Sequence, residues 1–171
     1  MCKIPRSKGV RGFTMIELVV VVVVLAILAA VGLSRMPVQS RMKLTSCRDR
    51  MMRDIRFAQT SAVTQQDNYG VIFDVALDTY SVYQGAGNYA NVITNPATGT
   101  PYDVDLTASF TGIDLLSTDL AGTFVEFDGQ GVPHESGAEL ASQKNIILKD
   151  SALGDTATIS ITQMTGMVKY Q

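Results

Sequence analysis

His134 is the single histidine in 171 residues, and Glu135, Ser136 and Ser142 follow it closely. A base, a carboxylate and a hydroxyl are the parts of acid–base and nucleophilic catalysis. Their setting argues against it. His134 follows the Val132-Pro133 turn, and no Gly-x-Ser-x-Gly elbow presents a nucleophile. The expectation is a solvated loop histidine and no enzyme. The pairs Asp103/Asp105 and Asp114/Asp119 offer the carboxylate oxygens that calcium takes, but without EF-hand spacing, and read as solvated acidic loops. Asp128-Gly129 is expected to serve a turn by tolerating positive φ. The cysteines, Cys2 and Cys47, form no Cys-x-x-Cys pair and no Cys/His cluster, so neither a zinc nor a redox centre is expected. No catalytic residue, metal or cofactor emerges. The residue whose placement does carry chemistry is Glu17.

Glu17 is the only charged residue from Phe13 to Leu33, a run of 21 that includes six consecutive valines, Val19 to Val24. In a soluble protein those valines would read as strand. At about 1.5 Å per residue, however, a helix of this length covers roughly 30 Å, one bilayer core. In lipid only a helix satisfies all backbone groups within one segment, so residues 13–33 are expected to be a transmembrane helix. A carboxylate inside such a span is costly and calls for a partner. Residues 1–12 form a short leader with Lys3, Arg6, Lys8 and Arg11, no acid and a net charge of +4, ending at Gly12.

Beyond the span, Ser34-Arg35-Met36-Pro37 is expected to interrupt the helix, because proline removes one helical hydrogen bond. Leu44, Cys47, Met51, Ile55, Ala58 and Ala62 then recur three and four residues apart, one face of an amphipathic helix over residues 34–66. Cys47 lies on that face and reads as a small buried hydrophobe. Met36, Met42, Met51 and Met52 read as flexible core filler. Residues 67–171 are rich in strand and turn signals. Tyr69–Asp74 and Tyr80–Tyr83 make a hairpin, and Gly85–Thr107 reads as a long polar loop with at most a short strand. Further strands are expected at Ile113–Leu116, Gly122–Phe127, Asn145–Lys149, Ala157–Ile161 and Met167–Tyr170, with a compact turn over Asp128–Pro133.

Arg11-Gly12-Phe13-Thr14-Met15-Ile16-Glu17 resembles the prepilin leader of type IV pilins and type II secretion pseudopilins. The later order resembles the GspH/FimT branch: a helix ending in Arg56-Phe57-Ala58-Gln59-Thr60-Ser61-Ala62, a hairpin, a Phe-Asp-Gly-x-Gly-x-Pro turn and a closing Thr-Gly-Met-Val. The resemblance implies an α+β pilin fold. In it a long N-terminal helix, transmembrane in its first half and amphipathic in its second, packs on antiparallel β-sheet. It implies that a prepilin peptidase cuts after Gly12 and methylates Phe13. It also implies that Glu17 pairs with the terminal amine of a neighbouring subunit during assembly. The expected protein is a minor pseudopilin or minor pilin, a structural subunit near the tip of a secretion pseudopilus or type IV pilus. Its partners would be other pilin subunits, the peptidase and the bacterial inner membrane, with the N-terminus cytoplasmic and the C-terminal domain periplasmic. Both flanks of the span are basic, so charge alone does not orient it.

Some relatives of this branch bind DNA during natural transformation, which is the alternative reading. Phosphate neutralisation needs clustered Lys and Arg. Here residues 57–171 carry three lysines against thirteen acids, and the C-terminal region offers only Lys169. Seven basic residues between Arg35 and Arg56, against Asp49 and Asp54, sit on the stalk helix. They are expected to face lipid headgroups or the acidic heads of other subunits. Nucleic acid is therefore an unlikely partner.

Overall fold

A computed structural model describes residues 13–33 and 36–170, with only the backbone described at 30–33 and 36–38. The leader, with Gly12, lies outside the described residues, as do Ser34 and Arg35 of the expected interruption. The chain divides into two compact units, Met1–Pro37 and Val38–Gln171. In the first, α1 runs from Met15 to Leu33. Helix α2 spans Met36–Gln65 and places Pro37 in its first turn, where the missing N–H is not needed by any intrahelical bond.

In the second unit α2 ends in a built stop. Gln66 takes the left-handed conformation, φ 53°, and the Asp67 N–H donates to the carbonyl of Ala62 at 3.3 Å. That is a Schellman closure with glutamine where glycine is usual. The Gln66 amide stabilises it by donating to the carbonyls of Val63 at 2.7 Å and Gly129 at 3.0 Å.

The strands follow in order: β1 Tyr69–Asp74, β2 Thr79–Gln84, β3 Asp103–Asp105, then the short helix α3 Leu106–Ser109 and β4 Ile113–Thr118. After a 3₁₀ turn at Ala121–Thr123 come β5 Phe124–Phe127, β6 Pro133–Glu135, β7 Ala138–Glu139, β8 Lys144–Asp150, β9 Thr156–Ile161 and β10 Val168–Tyr170. They form two antiparallel sheets, one in the order β3-β2-β1-β5-β6-β7 and one in the order β10-β9-β8-β4. The alternation of each strand sends one set of side chains inward. Val71, Phe73, Tyr80, Val82, Val125 and Phe127 come from the larger sheet; Leu115, Ile146, Leu148, Ile159 and Ile161 come from the smaller. Both sets join the stripe Leu44, Cys47, Met51, Ile55, Ala58 and Ala62 of α2 in one buried cluster. The two sheets are tied directly as well. Lys144 of β8 pairs with Glu135 of β6 at 2.7 Å, and the Leu115 N–H of β4 donates to Asp78 Oδ1 in the β1–β2 turn at 2.7 Å.

Several expectations are corrected. Helix α3 and the β6–β7 hairpin carry no period long enough to read. Strand β5 begins at Phe124, because Gly122 and Thr123 take positive φ, 74° and 58°, in the preceding turn. Met51 and Met52 are core, whereas Met42 is exposed. The segment between β2 and β3 is ordered by two bridges, Tyr83 with Val92 and Thr94 with Pro101.

Candidate functional site: the N-terminal segment

The start of α1 is fixed by its own sequence. Thr14 is the residue before the helix, and its Oγ1 accepts the backbone N–H of Glu17 at 3.3 Å, while its carbonyl accepts that of Leu18 at 3.2 Å. Thr14-Met15-Ile16-Glu17 thus has the Thr-x-x-Glu spacing of a capping box, with the glutamate at the third helical position. A carboxylate there also lies at the positive end of the helix dipole. The bond is made to the Glu17 backbone N–H, so it caps the helix without using the carboxylate.

The rest of α1 presents apolar side chains all round. Phe13 is 76% exposed, Met15 91%, and every valine from Val19 to Val24 about half. A helix apolar on all faces belongs in a core or a membrane. Among the described residues, no helix is long and apolar enough to cross a membrane. The nineteen backbone residues of α1 nevertheless rise about 28 Å.

The other residues with chemical potential are taken up by structure. His134 is not in a solvated loop: it lies on β6, half-buried, with Nε2 3.1 Å from Asp128 Oδ2. Asp128 does not take positive φ; that falls to Gly131, at 80°. Instead Asp128 Oδ1 accepts the N–H groups of Gln130 and Val132, each at 2.9 Å. Burial raises the Asp128 pKa, but the Val132 and Gln130 amides and His134 outweigh it and hold the carboxyl below its ordinary value. Asp105 caps α3, Asp103 accepts from Ser81, Asp114 from Ser151 at 2.6 Å, and Asp119 from Asn145 at 3.0 Å. Among the described residues no three His, Cys, Asp or Glu side chains converge on a metal position. Cys47 is 1% exposed, and burial pushes its thiol up to about 12, with Arg50 opposing.

At least four of the seven stalk cations contact the chain's own head. Arg41 pairs with Asp155 at 3.0 Å, and Lys43 donates to the Thr111 carbonyl at 3.4 Å. Arg56 donates to the carbonyl of Val168 at 2.7 Å, and Arg48 lies 4.5 Å over the Tyr170 ring. Lys169 is exposed on β10 between these two contacts.

Three buried carboxylates, Asp54, Glu126 and Asp150, escaped the sequence reading; Asp150 Oδ1 accepts the N–H groups of Ala152 and Leu153. Asp54 accepts from Tyr80 at 2.6 Å and Tyr102 at 2.9 Å; Glu126 accepts from Asn68 at 2.7 Å, Tyr83 at 3.2 Å and the Gly87 N–H at 2.8 Å. The signal for Asp54 was present, since it sits three residues from Met51 on the apolar stripe. For Glu126 there was none.

An exposed apolar helix, joined in one chain to a helix packed on antiparallel sheets, is the architecture of the pilin fold. The comparisons agree. The model of the prokaryotic N-terminal methylation motif matches residues 7–33. The type IV minor pilin FimU of Pseudomonas aeruginosa has a similar fold, with TM-score 0.52 at 14% identity, covering 77% of this chain and 90% of that one. So does the minor pseudopilin EpsH of the type 2 secretion system of Vibrio cholerae, with TM-score 0.53 at 10% identity, covering 75% and 96%. No curated protein matches the sequence. The chain carries the methylation motif and has the pilin fold.

Proposed function

We propose that the protein is a minor pilin or minor pseudopilin, a structural subunit of a type IV pilus or a type II secretion pseudopilus that sits near the filament tip and helps assembly. The observation that carries this reading is the methylation motif laid over an exposed, all-apolar helix. On this reading the prepilin peptidase cuts after Gly12 and methylates Phe13. Residues 13–33 anchor the subunit in the bacterial inner membrane, with the N-terminus cytoplasmic and the head periplasmic. The newly exposed α-amine of one subunit then lies at the depth of Glu17 in its neighbour. An isolated carboxylate in lipid takes up a proton or finds a cation, and the neighbour's amine exists only after cleavage. Docking relieves the cost of the lone carboxylate and sets axial register, with no chemical turnover.

Glu17→Gln removes the charge and keeps a polar side chain, whereas Glu17→Leu removes both; the Thr14 cap, made to the backbone N–H of residue 17, is left in place by either. Both variants should insert, be processed and fold normally, yet crosslink to other pilin subunits far less than the parent through cysteines placed near Phe13. Undiminished crosslinking in both would overturn the assembly role.

A further inference from the structure

On the anchoring of residues 13–33 given above, we propose that the turn between β8 and β9 is a second membrane contact, which rests on a lipid surface with anionic headgroups. Contacts along α2 order the head from one end to the other. Arg41 meets Asp155 and Lys43 meets Thr111, whereas Gln59 meets Gly131 and Thr165. Between Arg41 and Gln59 the helix rises about 27 Å. The β8–β9 turn thus lies at the end of the head where α2 enters, and the turns at Gly131 and Thr165 lie at the other. The chain from Leu33, where α1 ends, to Arg41 is three residues and then five helical ones, which together reach at most about 20 Å.

The turn is built to present an apolar tip. Ser151-Ala152-Leu153-Gly154 carries no charge, all four residues are exposed, and Leu153 is 40% exposed. Beneath them Asp150, itself buried, accepts the N–H groups of Ala152 at 2.8 Å and Leu153 at 3.2 Å, and its carbonyl accepts that of Gly154 at 2.8 Å. The Ser151 N–H donates to the Gly112 carbonyl at 2.9 Å, and its hydroxyl is bound to Asp114 Oδ2 at 2.6 Å. A tip held this firmly loses little entropy when it docks.

Charge selects the surface that the tip meets. Residues 57–171 as a whole, with thirteen acids against three lysines, are repelled by anionic lipid. This end of the head is the exception. Asp155 is paired with Arg41, Asp150 is spent on the turn, and Asp114 stands opposite Lys149 in the β4–β8 register. Arg41 and Lys43 are themselves exposed beside it. Cations flanking an uncharged apolar tip suit an interface in which the apolar group enters the acyl boundary and the cations meet phosphates. The patch is small, but the anchor makes the contact intramolecular, so a weak intrinsic affinity is enough.

The test places a nitroxide at Ala152→Cys, Met164→Cys or Val22→Cys, each with Cys2→Ser, in the full chain in nanodiscs of phosphatidylcholine and phosphatidylglycerol. Electron paramagnetic resonance reads collisions with a water-soluble nickel chelate. Collisions at 152 should be roughly threefold fewer than at 164, at the opposite end of the head. Adding Leu153→Asp or Lys43→Glu should bring 152 to the level of 164 with the thermal melt unchanged, and so should nanodiscs of phosphatidylcholine alone. Equal collisions at 152 and 164, or shielding of 152 indifferent to both variants and to the lipid, would overturn the proposal. The Val22 label separates the failures: shielded Val22 with open 152 removes the foot alone, whereas open Val22 removes the anchoring with it.

Discussion

The chemistry of this chain is carried by single side chains used in opposite ways. Glu17 opens an apolar helix, and its N–H bond to Thr14 explains why the helix begins where it does. Asp54 and Glu126 are buried in the head, and each is satisfied by at least two donors. Cys47 has the reverse property: its thiol is kept neutral by burial, at about 12 against an ordinary 9.0. A thiol pKa raised in the folded state contributes stability that is complete below the ordinary value and is lost as pH rises toward the folded one. The thiolate is the reactive form, so Cys47 should resist iodoacetamide at pH 8 in the native protein and react fully in urea. Mass spectrometry of the alkylated protein reads the difference. Fast native labelling would contradict the packing of α2.

At the level of elements, the end of α2 is packed closely against two turns. The Gln59 amide donates to the carbonyls of Gly131 and Thr165, both at 2.9 Å, and so joins the helix to two turns. Gly166, at φ +61°, has no room for a side chain: an added Cβ would lie 2.6 Å from Gln59 Nε2 and 2.8 Å from the Phe127 ring. Gly99 also has positive φ, +72°, but nothing lies within 4 Å of its Cβ position. Both alanine variants bear the left-handed strain, and only Gly166→Ala adds overpacking, typically 1–3 kcal/mol more. Urea midpoints should therefore fall clearly further for Gly166→Ala than for Gly99→Ala. Equal shifts would mean that the corner is loose.

The same elements show what a sequence reveals and what it hides. The α2 stripe was legible because helical period and burial coincide over its length, and β1, β2, β8 and β9 because their alternation is clean. Strand β6 and its histidine were misread because a proline and a following Ser136-Gly137 turn looked like loop. The segment between β2 and β3 read as a long polar loop by composition. Its order comes from Glu126 and Asp54, which lie far off in sequence, and no local pattern encodes such a pairing. The contacts of Arg41, Lys43 and Arg56 were hidden for a related reason: their partners Asp155, Thr111 and Val168 are brought beside them only by the fold.

For the whole molecule, the proposed function turns on charge and anchoring. Residues 57–171 carry thirteen acids against three lysines, and the stalk cations are partly occupied by the head. A polyanion should be repelled, most strongly at low salt, where screening is weakest. The full chain in nanodiscs should give no gel shift with duplex DNA; sub-micromolar binding abolished by Lys169→Ala would instead favour a DNA-receptor role. The account rests finally on processing at the Gly12–Phe13 bond, which creates both the mature helix and the amine that Glu17 is proposed to meet. Intact-mass and N-terminal peptide mass spectrometry of the protein, isolated from membranes of cells with an active prepilin peptidase, tests it most directly. The account predicts a chain that begins with N-methylated Phe13. A chain that still begins at Met1 would contradict it.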